Sequence, residues 1–175
     1  MRLTEAAEFI SNEFKKAHVK AIAGNNGYLA PFLIKNSSNE FDTGYNVLSA
    51  LEGKTKPNEV IIFSAHYDHV GTFSTNPYKW IGEIKGTDSI YNGANDNATG
   101  VAAVILLARY FAAMKNNERT LLFVTFAGEE LDLLGSKALS QVIQPDPIIA
   151  VINIEMIGRA QGIRPSPFVT GAYLY

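Results

Sequence analysis

The sequence predicts an α/β protein, a three-layer α/β/α sandwich around a mixed, mostly parallel central sheet. Three observations lead to it. Apolar, β-favouring runs at 59–68, 121–127 and 148–158 alternate with stretches of helical length, the pattern of strands joined by crossover helices. None of these runs shows strict polar alternation, as expected of strands covered on both faces. Two further β-like stretches, 28–36 and 44–53, precede them and add antiparallel strands at one edge.

In chain order, Leu3, Ala6, Ala7, Ile10 and Phe14 recur at helical spacing, so residues 3–16 read as an amphipathic helix packed on the side of the domain. AGNNGY is a turn signal, and the strand after it is interrupted by Pro31. GYNVLSALEG forms the next strand. KTKPNE reads as a polar turn that makes a hairpin of the strands on either side of it. Residues 70–97 lack periodicity and read as a long loop, a type often functional. Its Tyr78, Trp80 and Tyr91 either wall a substrate pocket or pack the loop down. ATGVAAVILLARYFAAM is apolar around most of a helix and is expected to be largely buried. LDLLGSKALSQVI is a further helix, closed by Pro145 and Pro147.

Composition narrows the chemistry. With 175 residues, 47% hydrophobic and 18% charged, the chain suits one domain over 1–175, or part of a larger one. A net charge of −2 without a Lys/Arg cluster speaks against nucleic acid. No apolar run is read as reaching the ~18 residues of a membrane span. The N-terminus is too acidic and broken for a signal peptide. There are no cysteines, so any metal must be held by His, Asp and Glu. Oligomeric state is left open by the sequence.

Those residue types cluster at strand ends. The run at 59–68 closes with His66 and Asp68, the central run with Gly128, Glu129 and Glu130, and the last one contains Glu155. Asp96 stands just before the long helix. If the three strands are parallel, all these groups meet at one sheet edge, where open α/β sheets bind ligands. Each has a plainer role as well. Glu129 and Glu130 suit a helix start, His66 suits a core, and Asp96 and Asn97 suit a helix cap. Glu155 has the weakest such alternative, because a carboxylate in an apolar run is costly without a cation. Asp68 lies two residues beyond His66, on the same side of the strand, where it can orient a ligating imidazole. His69 faces elsewhere on this reading and receives no role. Oxygen-rich ligation with imidazole suits zinc, and a neighbouring Glu can take a proton from a metal-activated water, which supports amide or ester hydrolysis.

With SAHYDHVG, GANDNATGVAA, FAGEELDLLGS and NIEMIGR in this order, the chain resembles the co-catalytic zinc aminopeptidases over about Asn46 to Arg159. That family also holds glutamate carboxypeptidase, glutaminyl cyclase and the transferrin-receptor ectodomain. The resemblance implies a phosphorylase/hydrolase-like sandwich acting on peptides with two zinc ions. It implies that His66, Asp96 and Glu155 hold one ion, while Asp96 and Glu130 hold the other. Glu129 is then the general base and Asp68 the partner of His66. It further implies action in the periplasm or outside the cell. Two departures stand out. Glu155 occupies a position that is often Asp, and the second zinc's final His is expected beyond Tyr175, so that site and the C-terminal part of the domain are expected to be incomplete in these 175 residues, which by themselves are expected to be poorly active or inactive. A single-zinc glutaminyl cyclase and a non-catalytic family member are the alternatives. Asp96-Asn97 in place of Asp-Ser, and the full set of ligands up to Glu155, favour the peptidase.

Overall fold

In the computed structural model, residues 3–24, 27–35, 39–72, 89–159 and 172–174 are described. The elements are α1 (Leu3–Lys16), β1 (Lys20–Ala21), β2 (Leu29–Lys35), β3 (Phe41–Leu51), β4 (Lys56–His66), a π-type turn (Ala94–Ala98), α2 (Thr99–Met114), β5 (Arg119–Phe126), α3 (Leu134–Ser140), β6 (Ile148–Ile154) and β7 (Ala172–Leu174).

The strands form one seven-stranded sheet in the order β1-β3-β5-β4-β6-β7, with β2 also paired to β3. Its centre is parallel, β4 lying between β5 and β6, and its flanks are antiparallel. The expected hairpin around KTKPNE does not form. Lys56 to Glu59 belong to β4, and β5 separates β3 from β4. The cause lies in β5 itself. Leu121, Phe123 and Val124 bury both of its faces, so it gains more between two strands than beside one. The hairpin that does exist is β2–β3, with Leu29 opposite Val47.

Side-chain alternation divides the core into two layers. Val47 and Phe123 face α1 and α2, where Ala7, Ile10, Phe14, Val101, Val104, Ile105 and Ala108 complete the larger cluster. Their sequence neighbours Leu48 and Val124 face the other way, toward Leu139 and Ile143 of the α3 segment. Phe123 stacks on Phe63 at a centroid distance of 5.9 Å and meets Phe14 at 6.5 Å. The layer on each side of the sheet makes the sandwich that the strand and helix pattern implies.

Two helices differ from expectation. α2 buries Gly100, Val101, Val104, Ile105 and Ala108 on one side but leaves Leu106, Tyr110 and Met114 exposed. The stretch Ala94–Met114 also has an 18-residue window of mean hydropathy 1.4. By length and composition it is therefore a helix that could cross a membrane, which corrects the reading that no run was long enough. In the fold it is the core helix laid on β4 and β5. α3 is shorter than LDLLGSKALSQVI, because Asp132 and Leu133 adopt φ of 70° and 60° and cannot be helical.

One electrostatic link ties α1 to α2. The Glu13 carboxylate accepts a hydrogen bond from Lys16 at 2.8 Å and from Arg109. Lys16, opposed by burial and aided by Arg109, holds the Glu13 carboxyl below its usual 4.5. A depressed carboxyl pKa adds stability above the unfolded value and loses it as pH falls through the folded one. Urea midpoints of wild type and Glu13→Gln are therefore expected to differ at pH 7 and to converge as pH falls through the lowered Glu13 pKa. A gap that does not narrow at any acid pH at which the protein stays folded would contradict this link.

Candidate metal centre

β4 sits at the point where the chain changes direction. From its end one crossover runs through α2 to β5 on one side, and the next runs through α3 to β6 on the other. Such a switch point leaves a crevice at the carboxyl ends of the strands. His66 is the last residue of β4 and pairs in register with Phe126 at the end of β5, while Ser64 pairs with Asn153 near the end of β6. The residues after those ends, Asp68, Glu129, Glu130 and Glu155, are thereby delivered to one edge. Gly128, at φ 69°, allows the sharp turn that carries the two glutamates off β5.

The ligand-type atoms fall into two groups joined by Asp96. His66 Nε2 lies 3.0 Å from Asp96 Oδ1 and 3.2 Å from Glu155 Oε2. His69 Nδ1 lies 2.9 Å from Glu130 Oε1 and 4.0 Å from Asp96 Oδ2. In each group one donor atom per residue comes within 4.8 Å of the others. Two donors on one tetrahedral zinc stand about 3.4 Å apart, which these separations bracket, so the residues present fit such an ion. Glu129 belongs to neither group. Its Oε2 is 4.0 Å from His66 Nε2, and its side chain is 36% exposed, which keeps it accessible to a molecule in the crevice.

Three polar residues hold this arrangement, and only one of them was singled out as a positioning group from sequence. Asp68, expected to grip the His66 ring through its carboxylate, does so mainly through its backbone. The ring Nδ1 is 3.1 Å from the Asp68 carbonyl oxygen and 3.7 Å from the carboxylate. The carboxylate is engaged elsewhere, accepting the backbone N–H groups of Glu129 at 3.1 Å and Glu130 at 3.2 Å. Asn97, fully buried, donates to the Ile154 carbonyl at 2.9 Å and accepts from Gly100 N and Met156 N at 3.1 Å each. It ties the start of α2 to the end of β6, and so fixes Asp96 relative to Glu155. Gly100 permits that approach, since a Cβ there would stand 2.3 Å from the Ile154 carbonyl oxygen. Asn153 takes a hydrogen bond from Ser64 and gives one to Glu155 Oε1, both 2.8 Å, which leaves Oε2 toward His66.

The electrostatics point the same way. Burial alone would lower the His66 pKa, but Asp68, Asp96 and Glu155 outweigh it and raise it to about 12. The hydrogen bond to His66 holds Asp96 below the usual carboxylate range despite burial. Glu129 is pushed up, first by burial and then by the charges of Glu130, Glu155 and Asp68, with His66 opposing. Glu130 is pushed up by burial and by Asp96, with His69 opposing. Five carboxylates around two imidazoles repel one another, and a bound cation relieves that repulsion. A cavity of ≈ 480 Å³ opens beside Glu129, lined on its apolar side by Phe126, Leu133, Leu139, Ile143 and Val151.

Residues 46–172 match the sequence profile of Peptidase family M28. The chain belongs to this family. Over 123 residues it is 31% identical to a "Probable zinc metalloprotease" of Phaeosphaeria nodorum, covering 66% of this chain and 24% of that protein. The M28 chain thus spans about a quarter of the length of that curated relative. Among solved structures it superposes on a leucine aminopeptidase precursor from Bacteroides thetaiotaomicron with a TM-score of 0.66 at 16% identity, over 90% of this chain and 55% of that one. It superposes equally on a glutaminyl cyclase from Tannerella forsythia, with a TM-score of 0.66 at 17% identity, over 90% and 54%. At these identities the two structures speak for a shared α/β fold. His66, Asp68, Asp96, Glu129, Glu130 and Glu155 all lie within the M28 match, and so does His69, to which the sequence reading gave no role. Of the loop aromatics, Tyr91 sets its ring edge-on to His69, while Tyr78 and Trp80 lie outside the described residues.

Proposed function

We propose that this M28 chain carries the metal-binding strand ends of a zinc exopeptidase that releases N-terminal residues from peptides. The observation that carries this reading is the divided Asp96 carboxylate, one oxygen toward His66 and the other toward His69, with Glu129 alongside. In this reading His66, Asp96 and Glu155 hold one zinc, and Asp96 and Glu130 serve the other. Zinc bound there polarises a peptide carbonyl and brings water within reach of deprotonation near neutral pH. Glu129 takes the proton and returns it to the departing amine, a task suited to a carboxyl whose pKa burial has raised. Asp68 keeps the two glutamates in place by holding their backbone N–H groups. Action outside the cytoplasm belongs to the same proposal.

The test is hydrolysis of aminoacyl p-nitroanilides by the full protein, abolished by a chelator and restored by zinc. Cyclisation of N-terminal glutamine with no anilide hydrolysis would instead favour acyl transfer, the reading that the cyclase-like fold keeps open. The bracing role given to Asp68 has its own check. Asp68→Ala is expected to weaken zinc binding about 10–100-fold by equilibrium dialysis, the usual cost of losing a group that orients ligands. Unchanged affinity would remove Asp68 from the account.

A further inference from the structure

Where β4 and β6 run side by side, their polar residues come in two steps. Ser64 and Asn153 are register partners across the two strands. His66 and Glu155 follow two residues later, His66 as the last residue of β4 and Glu155 just past the end of β6. All four line the ≈ 480 Å³ cavity beside Glu129. Ser64 is only 1% exposed, so its hydroxyl needs a partner within the protein, and the one it has leads to the metal centre. A carboxylate can only accept hydrogen bonds, so the Asn153 amide turns Nδ2 to Glu155 Oε1, at 2.8 Å. The amide Oδ1 is then left to accept from Ser64 Oγ, also at 2.8 Å. Glu155 keeps Oε2 for the ligand group, 3.2 Å from His66 Nε2. Asp96 differs, turning one oxygen to each imidazole.

We propose that Ser64 and Asn153 are positioning residues that reserve Glu155 Oε2 as a single donor, and so bias the His66 group toward zinc against larger divalent cations. The inference rests on the zinc reading above and deepens it. A tetrahedral zinc site needs few donors held in fixed directions. Manganese(II) is suited to oxygen-rich octahedral sites, and larger hard cations often take both oxygens of one carboxylate. An Oε1 committed to Asn153 is withheld from such an ion. The competing role for the Ser64–Asn153 pair is a cross-strand hydrogen bond that only steadies the sheet.

Metal preference separates the two. The full protein is dialysed to equilibrium against zinc and, separately, manganese(II), and the ion followed is the one whose binding is lost in His66→Ala. Asn153→Leu keeps the volume of the side chain and removes both hydrogen bonds. It is expected to weaken zinc at the His66 group about 10–100-fold, the usual cost of losing a group that orients a ligand, and to leave manganese(II), which can use the released Oε1, within about threefold. Ser64→Ala is expected to lower the zinc preference in the same direction by a smaller factor, and Ser64→Thr, which keeps the hydroxyl, to retain it. In the Asn153→Leu background Ser64→Ala should add nothing, because Ser64 acts through the amide alone. If Asn153→Leu fails to fold, Ser64→Ala against Ser64→Thr carries the same comparison. Zinc and manganese(II) weakened by one common factor, or neither weakened, would overturn the inference while leaving the His66 site standing. A wild type that binds no ion, or binding unchanged in His66→Ala, would defeat the functional reading beneath it and the inference with it.

Discussion

Glu129→Gln is expected to lower kcat for peptide hydrolysis about 10²–10⁴-fold while the zinc content stays at its wild-type value. In transition-state terms the loss is about 3–5 kcal/mol. Gln keeps the size of Glu and can still donate or accept a hydrogen bond, but it cannot take a proton. Because the Glu129 carboxylate belongs to neither ligand group, its neutralisation leaves His66, Asp96, Glu155, Glu130 and His69 in place. KM should change much less than kcat, since the proton moves only as the reaction proceeds. Activity within about threefold of wild type at equal zinc content would assign the proton to another group. A loss of activity together with a loss of zinc would make Glu129 a ligand rather than a base.

The second large effect falls on stability. Asn97→Ala removes the hydrogen bonds that the Ile154 carbonyl and the Gly100 N–H make to the Asn97 side chain, both of them buried, together with the part-buried one from Met156 N–H. Each buried group left without its bond costs about 1–3 kcal/mol, and because shared losses are not additive the total is on the order of 2–4 kcal/mol. The same change frees the start of α2 from the end of β6, so Asp96 and Glu155 lose their common reference. Denaturant unfolding should show the drop in midpoint with little change in slope, and zinc affinity at the His66 group should fall with it. A loss below 1 kcal/mol would mean that the clamp is incidental and that packing of Val101 and Val104 alone positions the helix.

Much of this centre is legible in the sequence because strand topology converts linear order into spatial convergence. Once residues 59–68, 121–127 and 148–158 are read as parallel strands, His66, Glu129, Glu130 and Glu155 must share an edge. Glu155 is the clearest single sign, a carboxylate inside an apolar run. At 96–97 the two residues take different partners. Asn97 accepts the Gly100 N–H as a cap would, and Asp96 is left to face both imidazoles. What stayed hidden depends on distance along the chain or on side-chain direction past a strand end. Strand alternation stops applying once β4 ends at His66, so neither the turn of the Asp68 carboxylate toward the Glu129 and Glu130 N–H groups nor the place of His69 follows from it. Asn153 looks like one polar residue in a buried strand until Ser64 and Glu155 appear on either side of it. The false hairpin at KTKPNE came from turn-forming residues whose local preference yielded to the stronger demand of β5 for two neighbours.

The central claim is that these strand ends form a zinc-binding centre, and anomalous scattering measured at the zinc edge on crystals grown with zinc tests it most directly. The account predicts a peak enclosed by His66 Nε2, Asp96 Oδ1 and Glu155 Oε2, absent from crystals of His66→Ala. Zinc bound only at other surface sites, with no density inside that group, would contradict it.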